Sequence, residues 1–333
     1  MLICKDCFAD EELRSEVSSN GSNYGLCEVC HSIDKLIDSS EFYAFFDGLL
    51  NLFSPSESGK PIAELIQDDW HIFKDSYVAT QLLNEVLING EYPFSINDRV
   101  NYRGDIINRI AVWDRLKKSV KENSRFFTNI DEFLQYKYIS PGGDGLRVGQ
   151  KLFRSRITPV GQKKIKGKNM GCPPKDLATP GRANPIGIPY LYLCDTAKTT
   201  YFEVRAVYLD KLSVGTFEIV RDLSLVDFIY DVNLYLSFVD GSLPLSEIII
   251  KKKIIDAISS DLSKPLRRYD SELEYVPTQF ICEYCKDYVN ADGISFESSL
   301  HRGGRYYVLF DQTAAKCTRV VSHIISRIDI DIK

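Results

Sequence analysis

Histidine is scarce. The chain has four in 333 residues, at 31, 71, 301 and 323, too scattered to assemble a cysteine–histidine catalytic pair from neighbours in sequence. No apolar run approaches the roughly 20 residues of a membrane helix, so no membrane span is expected. The N-terminal MLICKDCFADEE lacks the basic-then-apolar order of a secretory signal, and the expected location is cytoplasmic. An excess of either charge is also missing: net charge is −5 and the pI about 5.6, which gives no electrostatic footprint for direct nucleic-acid binding. No G-x-G-x-x-G follows a strand pattern, which argues against a doubly wound dinucleotide-binding sheet. Internal repeats and low-complexity tracts are absent too. What remains is 44% hydrophobic and 26% charged, an ordinary globular composition long enough for one large domain or two to three smaller ones.

Cysteine, by contrast, is plentiful, with nine residues. In a cytosolic chain spacing points to metal or free thiols before disulfides. Cys4-x2-Cys7 and Cys27-x2-Cys30 are separated by nineteen residues, a zinc signature. Each pair makes a knuckle aiming two thiolates at one ion, and four thiolates close a tetrahedral shell. A closed shell leaves no position for water, so the expected Zn2+ of the 1–35 segment is structural, with residues 1–31 depending on it to fold. His31 is an alternative ligand. Cys282-x2-Cys285 has no second pair nearby and lies on a helical pattern, so it reads as core. Cys172, Cys194 and Cys317 read as isolated thiols.

Residues 36–140 read as mostly helical. Asp38, Ser39 and Ser40 offer caps before EFYAFFDGLLNLF, the Ser/Pro/Gly run 54–59 breaks that helix, and further helices are expected over 61–68, 76–89, 104–121 and 129–138. Apolar stripes such as Leu82, Leu83, Val86 and Leu87 imply a helical bundle. Ser140–Gly145 is the best boundary, and 146–330 forms the C-terminal domain. There KLFRSRI reads as a strand with Arg154 and Arg156 on one face, followed by a basic loop, KKIKGK, and a Gly/Pro-rich run suited to backbone approach to a ligand. YLYLC, GTFEIVRDLSLVDF, GISF and YYVLF read as strands and SEIIIKKKIIDAI and TQFICEYCKDYV as helices, an α+β arrangement.

The stretch Gly181–Arg205, GRANPIGIPYLYLCDTAKTTYFEVR, places Arg182, Tyr192 and Glu203 ten and eleven residues apart. The arginine falls in a turn-rich segment, the tyrosine on a short strand and the glutamate at a helix start. An arginine can hold pyrophosphate through paired charge-assisted hydrogen bonds, a ring can stack on a base, and a carboxylate can hold ribose hydroxyls and stabilise positive charge as a glycosidic bond breaks. Taken singly, each has a plainer reading: a surface cation, a core tyrosine, a carboxylate favoured by a helix dipole.

The order of these blocks resembles the RES-domain family. G-R-x-N-P-x-G is Gly181–Gly187, L-Y-L is Leu191–Leu193, E-V-R is Glu203–Arg205, and an upstream F-R-x-R is Phe153–Arg156. Near the C-terminus Gly293–Ser298, Gly303-Gly304 and Val308–Phe310 match the family's serine segment and final strand. The resemblance implies an ADP-ribosyltransferase-like fold and consumption of NAD+, by hydrolysis or phosphorolysis as a NADase, or by ADP-ribose transfer to a protein. It also implies toxins paired with a helix-turn-helix antitoxin or another inhibitory protein. By position Arg182, Tyr192, Glu203 and Ser298 would form the catalytic core, with Arg154 and Asn184 at the nucleotide. One departure is that Tyr306 stands where many members carry an asparagine. The preceding helices resemble, by place in the chain, the HEPN-like domain sometimes fused ahead of RES domains. No arginine stands a few residues before His71, so RNase activity is not expected, and a contact, sensing or structural role stays open, as does a homo-oligomer. A catalytically inactive nucleotide-binding sensor is the alternative from another class.

Overall fold

The computed structural model describes residues 1–125, 128–131, 139–142, 145–264 and 272–327. By its internal contacts the chain divides into two compact units, one of Met1–Ala111 with Asp231–Lys252, the other of Val112–Tyr230 with Lys253–Lys333. Among the described residues no helix is long and apolar enough to cross a membrane. The expected helix over 129–138 lies almost wholly outside them.

The first unit opens with a three-stranded antiparallel sheet, in which β3 (Ile33–Asp38) lies between β1 (Leu2–Cys4) and β2 (Asn23–Leu26). Helix α1 (Glu11–Asn20) starts at Asp10, whose carboxylate accepts from the backbone N–H groups of Glu12 and Leu13, two of the donors a helix start leaves unpaired. Helices α2 (Tyr43–Leu50), α3 (Ile62–Trp70), α4 (Ser76–Asn89) and α5 (Gly104–Ile110) follow, close to the expected spans. The Ser/Pro/Gly run at 54–59 does lie beyond the end of a helix, and it continues as a strand: β4 (Phe53–Pro61) pairs with β5 (Arg99–Tyr102). A register shift between Pro55 and Lys60 absorbs the turn-forming residues. Phe53 sits opposite Tyr102, with ring centroids 4.6 Å apart, a cross-strand aromatic pair of the kind that holds two strands together. Phe8, Phe42, Phe45, Phe46 and Phe73 form an aromatic core. Tyr235 and Phe238 of α8 (Leu234–Asp240) join it, both packed on Phe45.

The second unit is built on a seven-stranded sheet in the order β12-β8-β6-β7-β11-β10-β9. These are β6 (Lys151–Ile157), β7 (Leu191–Cys194), β8 (Lys211–Ile219), β9 (Leu225–Asp227), β10 (Gly293–Glu297), β11 (Arg305–Leu309) and β12 (Ala315–Ile324). All neighbours are antiparallel except β9 and β10, so the mixed α+β expectation holds, and among the described residues there is no doubly wound sheet. A core of Leu152, Leu191, Leu193, Phe217, Leu225 and Leu309 covers one side. Helices α6 (Val112–Lys118), α7 (Ala197–Glu203), the later turns of α9 (Leu245–Ser263) and α10 (Val276–Asp287) complete the unit. Cys282 and Cys285 on α10 are fully buried, and burial pushes both thiols up, in keeping with a core helix.

Candidate active site

The loop carrying Arg182 is folded by its own side chains. The Tyr192 hydroxyl, on β7, donates to Asn184 Oδ1 at 2.9 Å and accepts from the Ala183 N–H at 3.1 Å. Asn184 Nδ2 donates to the carbonyls of Thr179 and Pro185, and Gln279 on α10 donates to those of Gly181 and Asn184. A Cβ on Gly181 would lie 2.7 Å from Asn184 Oδ1 and 3.0 Å from the Tyr192 hydroxyl, so only glycine fits there. Asn184 is 6% exposed. The Tyr192 phenol is thereby committed to the loop, and burial pushes its ionisation far up.

That loop borders a cavity of about 420 Å³, within the range of roughly 300–1,000 Å³ usual for small-molecule sites. Its wall includes Arg154 from β6, Arg182 and Asn184 from the loop, Tyr192 and Cys194 from β7, Glu203 and Arg205 from the end of α7, and Tyr306 from β11. Five of the six sequence-predicted site residues therefore line one space. Ser298 does not line it. Its hydroxyl accepts from the N–H groups of Leu300 and His301 and donates to the Tyr306 hydroxyl at 3.3 Å, so it shapes the turn beside the cavity while Ser299 and Leu300 reach the wall.

Positive charge dominates the wall: three arginines and one carboxylate, in a chain of net charge −5. Burial lowers the ionisation of Arg154, with the neighbouring Arg156 adding to it. Arg154 Nη1 and Arg156 Nε are buried with no hydrogen-bond partner. Burial also lowers that of Arg182, whose Nη1 donates to the carbonyls of Asp261 and Leu262 at the end of α9. Among the described residues neither Arg154 nor Arg182 forms a salt bridge. An unpaired guanidinium in a low-dielectric setting is unfavourable unless an anion completes it, which is what a pyrophosphate would do.

Glu203 was expected at a helix start. The structure places it at the last residue of α7, whose start is capped by the Thr196 side chain accepting from the Thr199 N–H. The chain turns away directly afterwards, with Arg205 at φ 48°. A carboxylate at a helix C-terminus gains nothing from the helix dipole, so the plain structural reason for a glutamate here is gone. Its charge is felt by Arg182, Tyr192, Cys194 and Tyr306. Tyr275, which no local pattern singles out, brings its ring to 6.0 Å from the Arg182 guanidinium. It sits in the short turn 272–275 ahead of α10, a place only the tertiary fold defines.

In the first unit the Sγ atoms of Cys4, Cys7, Cys27 and Cys30 all lie within 4.8 Å of one another. Cys4 to Cys30 is 3.3 Å and Cys7 to Cys27 is 3.5 Å. Thiolates at about 2.3 Å from a tetrahedral ion stand about 3.8 Å apart, so this donor set fits a metal. Burial pushes the Cys4 thiol up to about 12, whereas hydrogen bonds from Ser32 overcome burial to lower Cys30 to about 7. His31 is exposed, at φ 60°, and outside the cluster.

The family model of the RES domain matches residues 155–331. Among solved structures, the crystal structure of the M. tuberculosis MbcT–MbcA toxin–antitoxin complex aligns with 57% of this chain and 91% of its own. The identity is 12% and the TM-score 0.31. No curated protein matches the sequence.

Proposed function

The chain belongs to the RES-domain family, and on that premise we propose that it consumes NAD+ by cleaving the bond between nicotinamide and ribose. The observation that carries the reading is the arginine-rich cavity with a single carboxylate at its wall. Arg154 and Arg182 bind the pyrophosphate, which supplies the anion their buried guanidinium groups lack. Glu203 holds the nicotinamide ribose and stabilises positive charge developing at C1′. As the C1′–N bond breaks, its electron pair leaves with nicotinamide. A lone pair of the nucleophile forms the new bond to C1′, and the nucleophile's proton passes to solvent. Tyr192 and Asn184 act by fixing the Arg182 loop, and Ser298 acts from beside the cavity.

Water or phosphate as nucleophile makes a NADase or a phosphorylase, and a protein side chain makes a mono-ADP-ribosyltransferase. In the cell we read the protein as a cytoplasmic toxin or defence effector held in check by an antitoxin, since unrestrained cleavage would drain NAD+. We also read the four-cysteine cluster as a structural Zn2+ site and the helices of the first unit as a contact or sensing region.

The test is NAD+ loss by the purified protein, with and without phosphate, beside Glu203→Gln. Loss that the variant reduces by about a hundredfold or more supports the reading, and phosphate dependence names the nucleophile. Label appearing on protein in a lysate identifies transfer. Binding of NAD+ with no turnover in any condition replaces the enzyme with a nucleotide sensor.

A further inference from the structure

We propose that Trp113 and Lys117 of α6 are positioning residues for Arg182, acting through Asp261 at the end of α9. The inference rests on the NAD-consuming reading of this cavity. It adds to the site a helix that lies ahead of residues 155–331, the stretch that matches the family model.

The last four carbonyls of a helix have no partner within it, and they form the negative end of its dipole. At the end of α9 two of them, those of Asp261 and Leu262, accept from Arg182 Nη1 at 2.9 and 3.3 Å. The same turn borders the cavity through Leu262 and Ser263. A guanidinium held in this way takes its place from the helix end, so whatever fixes that turn also fixes Arg182.

The Asp261 side chain supplies the fixing. Its Oδ2 accepts from Trp113 Nε1 at 2.7 Å and stands 2.9 Å from Lys117 Nζ. Trp113 and Lys117 are four residues apart and share one face of α6. The indole is fully buried, and the Lys117 ammonium lies 5.8 Å over its ring. A buried indole N–H needs an acceptor wherever it sits. What goes beyond that need is the acceptor found here, the residue whose own carbonyl holds Arg182. The path from α6 to the guanidinium thus passes through one residue, with a hydrogen bond at each end. All of it lies within the second unit. Glu203, on α7, is not on this path. Loosening α6 would therefore weaken the hold on pyrophosphate and leave the carboxylate in place.

The experiment pairs kinetics with a measurement that needs no turnover. For Trp113→Phe, KM for NAD+ is expected to rise about tenfold with kcat within about twofold, the pattern of lost uniform binding. Lys117→Met removes one donor from a partly exposed position, leaves the core filled, and is expected to raise KM about threefold. Unchanged KM in Lys117→Met, or a fall in kcat alone in either variant, overturns the proposal. Separately, the chain has two tryptophans, so Trp70→Phe assigns the remaining 15N-indole resonance to Trp113. Arg182→Met is expected to shift that resonance, because the end of α9 loses the cation on its carbonyls. The resonance of Trp70, whose indole donates to the Tyr102 hydroxyl in the first unit, should stay in place. No shift of Trp113 overturns the proposal whether or not the wild type turns over NAD+. Absence of NAD+ loss by the wild type refutes the reading of the cavity instead, and leaves the indole test decisive for the path from α6 to Arg182.

Discussion

At the scale of single residues, the site separates groups that face the ligand space from groups that hold them there. Arg154 and Arg182 keep buried or half-buried guanidinium groups without carboxylate partners, an arrangement that stability alone does not favour. Tyr192 belongs to the second kind. Its ring was legible as stacking surface, yet its hydroxyl is taken by Asn184 and Ala183. Tyr192→Phe would leave a buried amide oxygen and a backbone N–H without that partner, a loss of about 1–3 kcal/mol. The expected outcome is a lower melting temperature and, because the Arg182 loop loosens, weaker NAD+ binding by calorimetry. A variant that melts earlier but binds NAD+ as the wild type does would uncouple the phenol from the loop.

Among elements, local pattern carried far where burial repeats at a helix or strand period. The spans of α4 and β6 could be read from Leu82, Leu83, Val86 and Leu87 and from the alternation of KLFRSRI. It failed where pairing is decided at a distance. Strand β4 is written in serine, proline and glycine, and it is a strand only because Arg99–Tyr102 lies alongside it. Tyr275 enters the site through a turn with no motif, and Glu203 ends its helix because the chain reverses after it. The same dependence on distant partners joins α5 to the start of α9 within the first unit, where Arg109 donates both Nη groups to Glu247 at 2.5 Å. Arg109 holds the Glu247 carboxyl below its ordinary range. A depressed carboxylate contributes stability above its unfolded value, near 4.3, and loses it as pH falls through the folded one. Because both side chains are partly exposed, the contribution is about 1 kcal/mol. Urea melts of Glu247→Gln should therefore differ from wild type by about that amount at pH 7 and converge by about pH 3. A gap that persists at acid pH would mean the pair matters through packing and not through charge.

For the whole molecule, the chain returns to its first unit: residues 231–252 pack with 1–111. Phe8 lies against Phe42 and Phe73, Phe42 and Phe45 against Tyr235, and Asp10 accepts from the Asn233 side chain at 2.6 Å. Asn233 in turn caps α8 by accepting from the Leu236 N–H. The four-cysteine knot holds the segment that bears Phe8 and Asp10, so an ion there would support a helix more than two hundred residues further along the chain. Small metal-bound segments owe their fold to the ion. Metal removal by a strong chelator, or Cys27→Ser, is therefore expected to accelerate amide exchange in two places at once, residues 1–38 and residues 231–240. The central strands β6, β7 and β11 of the second unit should stay protected, their hydrogen bonds being made within their own sheet. Hydrogen exchange read by mass spectrometry resolves these peptides. Exchange confined to 1–38 would show that the aromatic core holds 231–240 without the knot, whereas protection throughout would remove the ion from the fold's energetics altogether.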